Sequence, residues 1–164
     1  MIADTQNPKK ILFPTDLSKN AEHAFEYAAG IAKCFGARIT ILHVTERLPP
    51  NALLILQAYH GVDGWKEIEK MNEEEVIRNI RSRIEAFCEE ARGKFPECPF
   101  IVDDVVVETG HPVERILHHA SETGCDMIVM GARGHGLLRD TFLGSTAERV
   151  LRRCHKPVLV VPMD

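Results

Sequence analysis

Five short runs of strand-forming residues punctuate the chain, and helical patterns fill the gaps between them. The runs are Ile11-Leu12-Phe13, Ile39 to Val44, Ile101 to Val107, Met127 to Met130 and Val158 to Val161. Four of them are nearly continuous apolar stretches, which suits strands buried on both faces in a parallel sheet covered by helices. Between the first two runs, Ala21, Ala24, Phe25, Ala28, Ala32 and Phe35 recur at steps of three and four, with Ser18 as N-cap and Gly36 as the stop. Ile77, Ile80, Ile84, Phe87 and Ala91 keep the same period before Gly93, and Val113, Ile116, Leu117 and Ala120 do so between Pro112 and Gly124. A fourth helix is expected from Ser145 to Cys154. The order β-α-β-α-β-α-β-α-β predicts a doubly wound α/β fold with right-handed crossovers and helices on both faces.

At 164 residues the chain has the length of one domain, 1–164, and no linker or composition shift divides it. Residues 46–65 interrupt the rhythm with Pro49-Pro50, the apolar Leu53-Leu54-Ile55-Leu56, Gly61 and Gly64. A connection of that length calls for a short packed helix or a partner-binding surface. No apolar run approaches the ~18 residues of a spanning helix, and Met1 to Lys10 lack the apolar core of a secretory signal. A net charge of −4 supplies no bulk attraction for nucleic acid. The cysteines Cys34, Cys88, Cys98, Cys125 and Cys154 are odd in number, widely spaced and free of any C-x-x-C pair. That pattern is expected of reduced, mostly buried thiols rather than a disulfide scaffold or a zinc site. A cytoplasmic protein without membrane or nucleic-acid partners is the expectation.

The segment from Asp126 to Thr146 is the one that points to chemistry. A buried strand ends at Gly131, and a loop containing Gly134 and Gly136 leads to Gly144-Ser145-Thr146 at the start of a helix. Glycines let the backbone turn sharply and approach a ligand, and a helix N-terminus offers N–H groups and partial positive charge. Together they make a cradle suited to phosphate. A Walker A loop is excluded, because Leu137 and Leu138 stand where its Lys and Ser/Thr belong. The dinucleotide fingerprint is excluded as well, because the first strand ends in Pro14-Thr15-Asp16 rather than a glycine-rich turn.

What remains is G-x2-G-x9-G-S at Gly131, Gly134, Gly144 and Ser145. This spacing resembles the nucleotide-binding branch of the universal stress protein family. The likeness extends over nearly the whole chain. It takes in the opening Ile-Leu-Phe-Pro-Thr-Asp, the Ile-Leu-His-Val ending the second strand, Gly110-His-Pro after the third, Asp126-Met-Ile-Val-Met-Gly131, and the closing Lys-Pro-Val-Leu-Val-Val-Pro. The resemblance implies a Rossmann-like, five-stranded parallel sheet of order 3-2-1-4-5 and ATP as ligand, with any Mg2+ arriving on its phosphates. It implies that Asp16 and the backbone of Val44 hold the adenosine end. Gly131 and Gly134 would line the ribose and phosphates, and Gly144, Ser145 and Thr146 would bind the phosphates. Pro14 and Gly110 would form nearby walls, with Thr15 and Met130 beside them and Arg133 as a phosphate partner. It also implies a homodimer through the final strand Val158 to Val161, an apolar edge that pairing would protect. A small ATP-binding stress-response sensor or adaptor, with an unidentified protein partner, is the function so implied. In an open sheet of that order, ligands gather where the winding reverses, between strands one and four.

Several of these residues have plainer readings. Ser145 opens Ser-Thr-Ala-Glu148, the pattern of a capping box, and a cap there is compatible with a phosphate contact through the backbone. Asp16 has a second role open to it, satisfying backbone donors beyond strand one. Arg133, His135 and Arg139 are either solvated charge or phosphate ligands. Arg149, Arg152, Arg153 and Lys156 complement a helix C-terminus. His118-His119 lacks a metal-ligand spacing, and Glu73-Glu74-Glu75 is a solvated helix face. A phosphotransferase or nucleotide hydrolase using Arg133, His135 and Asp140 in the same pocket is the competing enzyme reading. The lack of an assignable base or Walker lysine makes slow turnover at most, and no catalytic residue, the expectation.

Overall fold

A computed structural model of the chain describes residues 7–46, 58, 75, 78–90, 93–94, 102–134 and 142–163. The strands are β1 (Lys10–Pro14), β2 (Arg38–Thr45), β3 (Val102–Thr109), β4 (Met127–Gly131) and β5 (Val158–Val161). They form one sheet of order β3-β2-β1-β4-β5, and every neighbouring pair is parallel. This is the expected doubly wound α/β architecture, with the winding reversing between β1 and β4. The helices are α1 (Lys19–Phe35), α2 (residues 78–90), α3 (Pro112–Glu122) and α4 (Ser145–Arg153).

The two-residue period of the strands sorts their side chains onto two cores. Ile11 and Phe13 of β1, Ile39 and Ile41 of β2 and Val129 of β4 pack with Ala24, Phe25 and Ala28 of α1 and Ile80 and Ile84 of α2. Leu12, Leu42, Ile128 and Met130 point the other way, onto Val113, Ile116 and Ala120 of α3 and Ala147 and Val150 of α4. Phe13, Phe25 and Phe87 form an aromatic group on the first face, with Phe25 and Phe87 ring centroids 4.7 Å apart. Two layers of helix around one sheet follow from alternation in the central strands, where both faces are apolar.

The helix ends follow local chemistry. The Ser18 hydroxyl accepts the Ala21 N–H at 3.2 Å and caps α1, and Gly36 at φ 66° ends it in the left-handed conformation. Pro112 occupies the first turn of α3, where its missing N–H costs nothing. Glu108 of β3 accepts from His119 Nε2 of α3 at 2.7 Å, and Arg153 of α4 grips Glu114 of α3.

Three expectations need correction. Ser145 is not the cap of α4: Gly144 holds the N-cap conformation (φ −74°, ψ 156°), Ser145 is the first helical residue, and no side chain caps the helix. Glu148 pairs instead with Arg152 at 2.9 Å. The cysteines are less uniformly buried than their type suggests, since Cys88 and Cys125 are buried, Cys154 is half-buried and Cys34 is exposed. Arg153 serves α3 through Glu114 as well as complementing its own helix end. Ile77, Ala91, Cys98, Ile101, His135, Gly136, Arg139, Asp140 and nearly all of 46–65 lie outside the described residues, as do Glu73 and Glu74.

Candidate functional site

The chain leaves β1 through Pro14-Thr15-Asp16-Leu17-Ser18, a turn fixed by its own short side chains. The Thr15 N–H continues the ladder to Leu42 O at 2.9 Å. Thr15 Oγ1 accepts from the Leu17 N–H and Asp16 Oδ1 from the Ser18 N–H, each at 3.0 Å. Such bonds from a side chain to the backbone two residues on are the means by which Asp and Thr shape turns. They hold Leu17 at φ 62°, the one non-glycine positive φ among the described residues. Thr15 O also receives a hydrogen bond from His43 Nδ1 at 2.7 Å. A carbonyl can only accept, so His43 carries its hydrogen on Nδ1 and ties the end of β2 to the end of β1.

On the other side of the winding reversal, β4 ends at Gly131. The Ala132 N–H donates to Val161 O at 2.8 Å, and the Gly144 N–H returns to Ala132 O at 2.7 Å. The second bond closes the loop and delivers the start of α4 beside the end of β4. The first intrahelical bond of α4 is Glu148 N–H to Gly144 O at 2.9 Å. The N–H groups of Ser145, Thr146 and Ala147 therefore have no acceptor within the helix.

Between these two turns lies a crevice of about 930 Å³, at the upper end of the usual range for small-molecule sites. It is lined by the ends of β1, β2 and β4, the first turn of α4, and Pro112 and Ile116 of α3. Eleven sequence-predicted residues come together there: Pro14, Thr15, Asp16, Val44, Met130, Gly131, Arg133, Gly134, Gly144, Ser145 and Thr146. Gly110 does not. Its N–H donates to Thr45 O at 2.9 Å, and Pro112, two residues on, is in the lining instead. Leu42, Ile116 and Leu143 were not singled out in the sequence, and they make the apolar wall together with Val44 and Met130. For Leu42 and Ile116 the only signal is core periodicity, which does not separate a core residue from a pocket wall, and Leu143, in the loop before Gly144, carries none.

The glycines have a steric reason. A Cβ on Gly134 would run into Asp16 Oδ2, and one on Gly131 would stand 2.8 Å from Asn20 Nδ2. The β1–α1 turn and the β4–α4 loop thus approach more closely than side chains allow. Chemically the site offers an apolar slot, a carboxylate at Asp16, the hydroxyls of Ser145 and Thr146 and an uncapped helix N-terminus, with Arg133 in the lining and its Nη2 directed to Met163 O at 3.5 Å. That set suits a ligand with a flat apolar end and an anionic end.

A parallel α/β sheet with an open crevice at its reversal point and a helix N-terminus facing it defines a class of small-molecule-binding domains. The chain belongs to the universal stress protein family, whose model matches residues 7–162. It is 31% identical over 153 residues to universal stress protein MJ0577 of Methanocaldococcus jannaschii, covering 93% of this chain and 94% of the relative. The solved structure of the hypothetical protein MJ0577 superposes with a TM-score of 0.73 at 28% identity, covering 95% of this chain and 96% of that one. A universal stress protein solved in complex with cAMP matches with a TM-score of 0.56 at 21% identity, covering 94% and 97%.

Proposed function

We propose that the chain is an ATP-binding universal stress protein that acts as a nucleotide-dependent sensor or adaptor in the cytoplasm. The observation that carries this reading is the crevice running across the ends of β2, β1 and β4. Two strand spacings separate β2 from β4, roughly 10 Å, which matches the reach from a base to its phosphates. The adenine would lie against Leu42, Val44, Ile116 and Met130, with Asp16 and the Val44 backbone on the adenosine side. The ribose would rest near Gly131 and Gly134. The phosphates would meet Arg133 and the N-terminus of α4 at Gly144, Ser145 and Thr146.

Because Ser145 is helical rather than capping, its hydroxyl and the first N–H groups of α4 remain available to an anion. Among the described residues no three His, Cys, Asp or Glu side chains gather to hold a metal ion, and Mg2+ enters this reading only on the phosphates. No helix among the described residues is long and apolar enough to cross a membrane. Occupancy of the crevice would be read by a protein partner, with a homodimer formed along β5.

The test is mass spectrometry of the small molecule released when the purified protein is denatured. ATP or ADP in near-stoichiometric amount is the expected result. Protein that releases no nucleotide and does not take up added ATP overturns the reading.

A further inference from the structure

Asn20 is the second residue of α1 and is only 4% exposed. Ala21, Ala24 and Phe25 continue the buried stripe of that helix. A polar side chain in such a stripe must find partners. Its Nδ2 donates to Arg133 O, 113 residues away, at 2.5 Å. A carbonyl only accepts, so the orientation of the amide is forced. Its Oδ1 is then buried with no hydrogen-bond partner among the described residues. Burying that oxygen unpaired costs stability, and an alanine, as at Ala21, would avoid the cost. An alanine would also leave the Arg133 carbonyl without this donor, so what the amide contributes here is the bond made by Nδ2.

We infer that Asn20 is a positioning residue for the anionic end of the crevice, orienting the peptide between Arg133 and Gly134 so that the Gly134 N–H faces a bound phosphate. In a trans peptide the C=O and N–H point in opposite directions. Asn20 holds the Arg133 carbonyl from behind the loop: Arg133 and Gly134 line the crevice and Asn20 does not. The Gly134 N–H is thereby turned away from Asn20, on a residue that lines the crevice. Gly131 completes the device, since a Cβ there would stand 2.8 Å from Asn20 Nδ2 and push the amide off its acceptor. The first glycine of the motif thus serves the amide behind the loop, and the second presents the donor in front of it. This inference rests on the nucleotide reading proposed above.

The experiment compares ATP and adenosine binding, by calorimetry, to the wild type and to Asn20→Ala, Asn20→Asp and Gly131→Ala. Circular dichroism establishes that each variant is folded. ATP affinity is expected to fall about tenfold in Asn20→Ala, which is 1.4 kcal/mol, while adenosine affinity changes less than twofold. Asn20→Asp, which keeps the shape but presents oxygens to the Arg133 carbonyl, is expected to lose at least as much ATP affinity. Gly131→Ala, which crowds the Asn20 amide from the loop side, should also weaken ATP binding, and the Gly134 amide resonance should move in all three ligand-free variants. Equal losses for ATP and adenosine, or ATP binding unchanged in a folded Asn20→Ala, overturn the positioning role and leave the nucleotide reading standing. A wild type that binds neither compound overturns both.

Discussion

The carboxylate of Asp16 fills the space that a side chain at Gly134 would need. One residue follows β1 and the other follows β4, so their contact is the seam where the two halves of the sheet meet over the crevice. Gly134→Val is therefore expected to displace both the Asp16 side and the loop side of the site. At a hundred times its dissociation constant, a ligand stabilises by roughly 2.7 kcal/mol, or a melting shift of about 5–10 °C for a domain of this size. Thermal melts should show most of that ATP shift lost in Gly134→Val. A folded variant with the full shift would contradict the assignment of the loop.

Arg153 meets Glu114 with both ends of its guanidinium, Nη1 to Oε1 at 2.6 Å and Nη2 to Oε2 at 3.2 Å, and so ties α4 to α3. The hydrogen bond from Arg153, with its positive charge, holds the Glu114 carboxyl below the ordinary value of 4.5. A depressed folded value means that the pair stabilises above the unfolded value and that this contribution is lost as pH falls through the folded one. Glu114→Gln should lower Tm slightly at pH 7. The difference from wild type should close as pH falls below 4.5 through the lowered folded value, and shrink in 1 M salt, because the pair is exposed. A difference that persists undiminished through acid titration would argue against the ion pair.

Much of the fold is legible in the sequence, because apolar runs of strand length between amphipathic helices leave few alternatives to a doubly wound sheet. The strand order follows only from the resemblance of the motifs, and the sheet has that order. Asp16 and Gly131 could be placed at one crevice because the winding reverses between the strands they follow. Ser-Thr-Ala-Glu fits a capping box and so points to Ser145 as a cap. The Gly144 N–H bond to Ala132 O starts the helix so that Ser145 is already its first residue. Asn20 carried no signal at all: a polar residue in the first turn of a helix looks like any exposed one until the loop 113 residues later folds onto it.

β5 ends the sheet. Its Val158, Leu159 and Val160 are half-buried, and Met163, two residues past its end, is 43% exposed. An apolar edge of this kind pairs with another strand or is a liability. Sedimentation at tens of micromolar is expected to show a dimer, and Val160→Arg should shift it toward the 18.4 kDa chain. A wild type that sediments only as the single chain would count against pairing through β5.

Turnover should be slow. Arg133 is the cation of the described crevice lining, and no lysine stands among those lining residues. Fast phosphoryl transfer needs positioned cations and a group that orients the nucleophile. Against a median enzyme rate of about 10 per second, phosphate release from ATP with Mg2+ is expected below about 0.1 per second. A rate above one per second would favour the enzyme reading.

Calorimetric titration of the wild-type protein with ATP decides whether the crevice is a nucleotide site. Saturable binding of one ATP per chain is expected, with AMP weaker because it lacks the outer phosphates that meet the N-terminus of α4. Protein that circular dichroism shows to be folded, yet gives no binding heat and no melting shift at millimolar ATP, would contradict it.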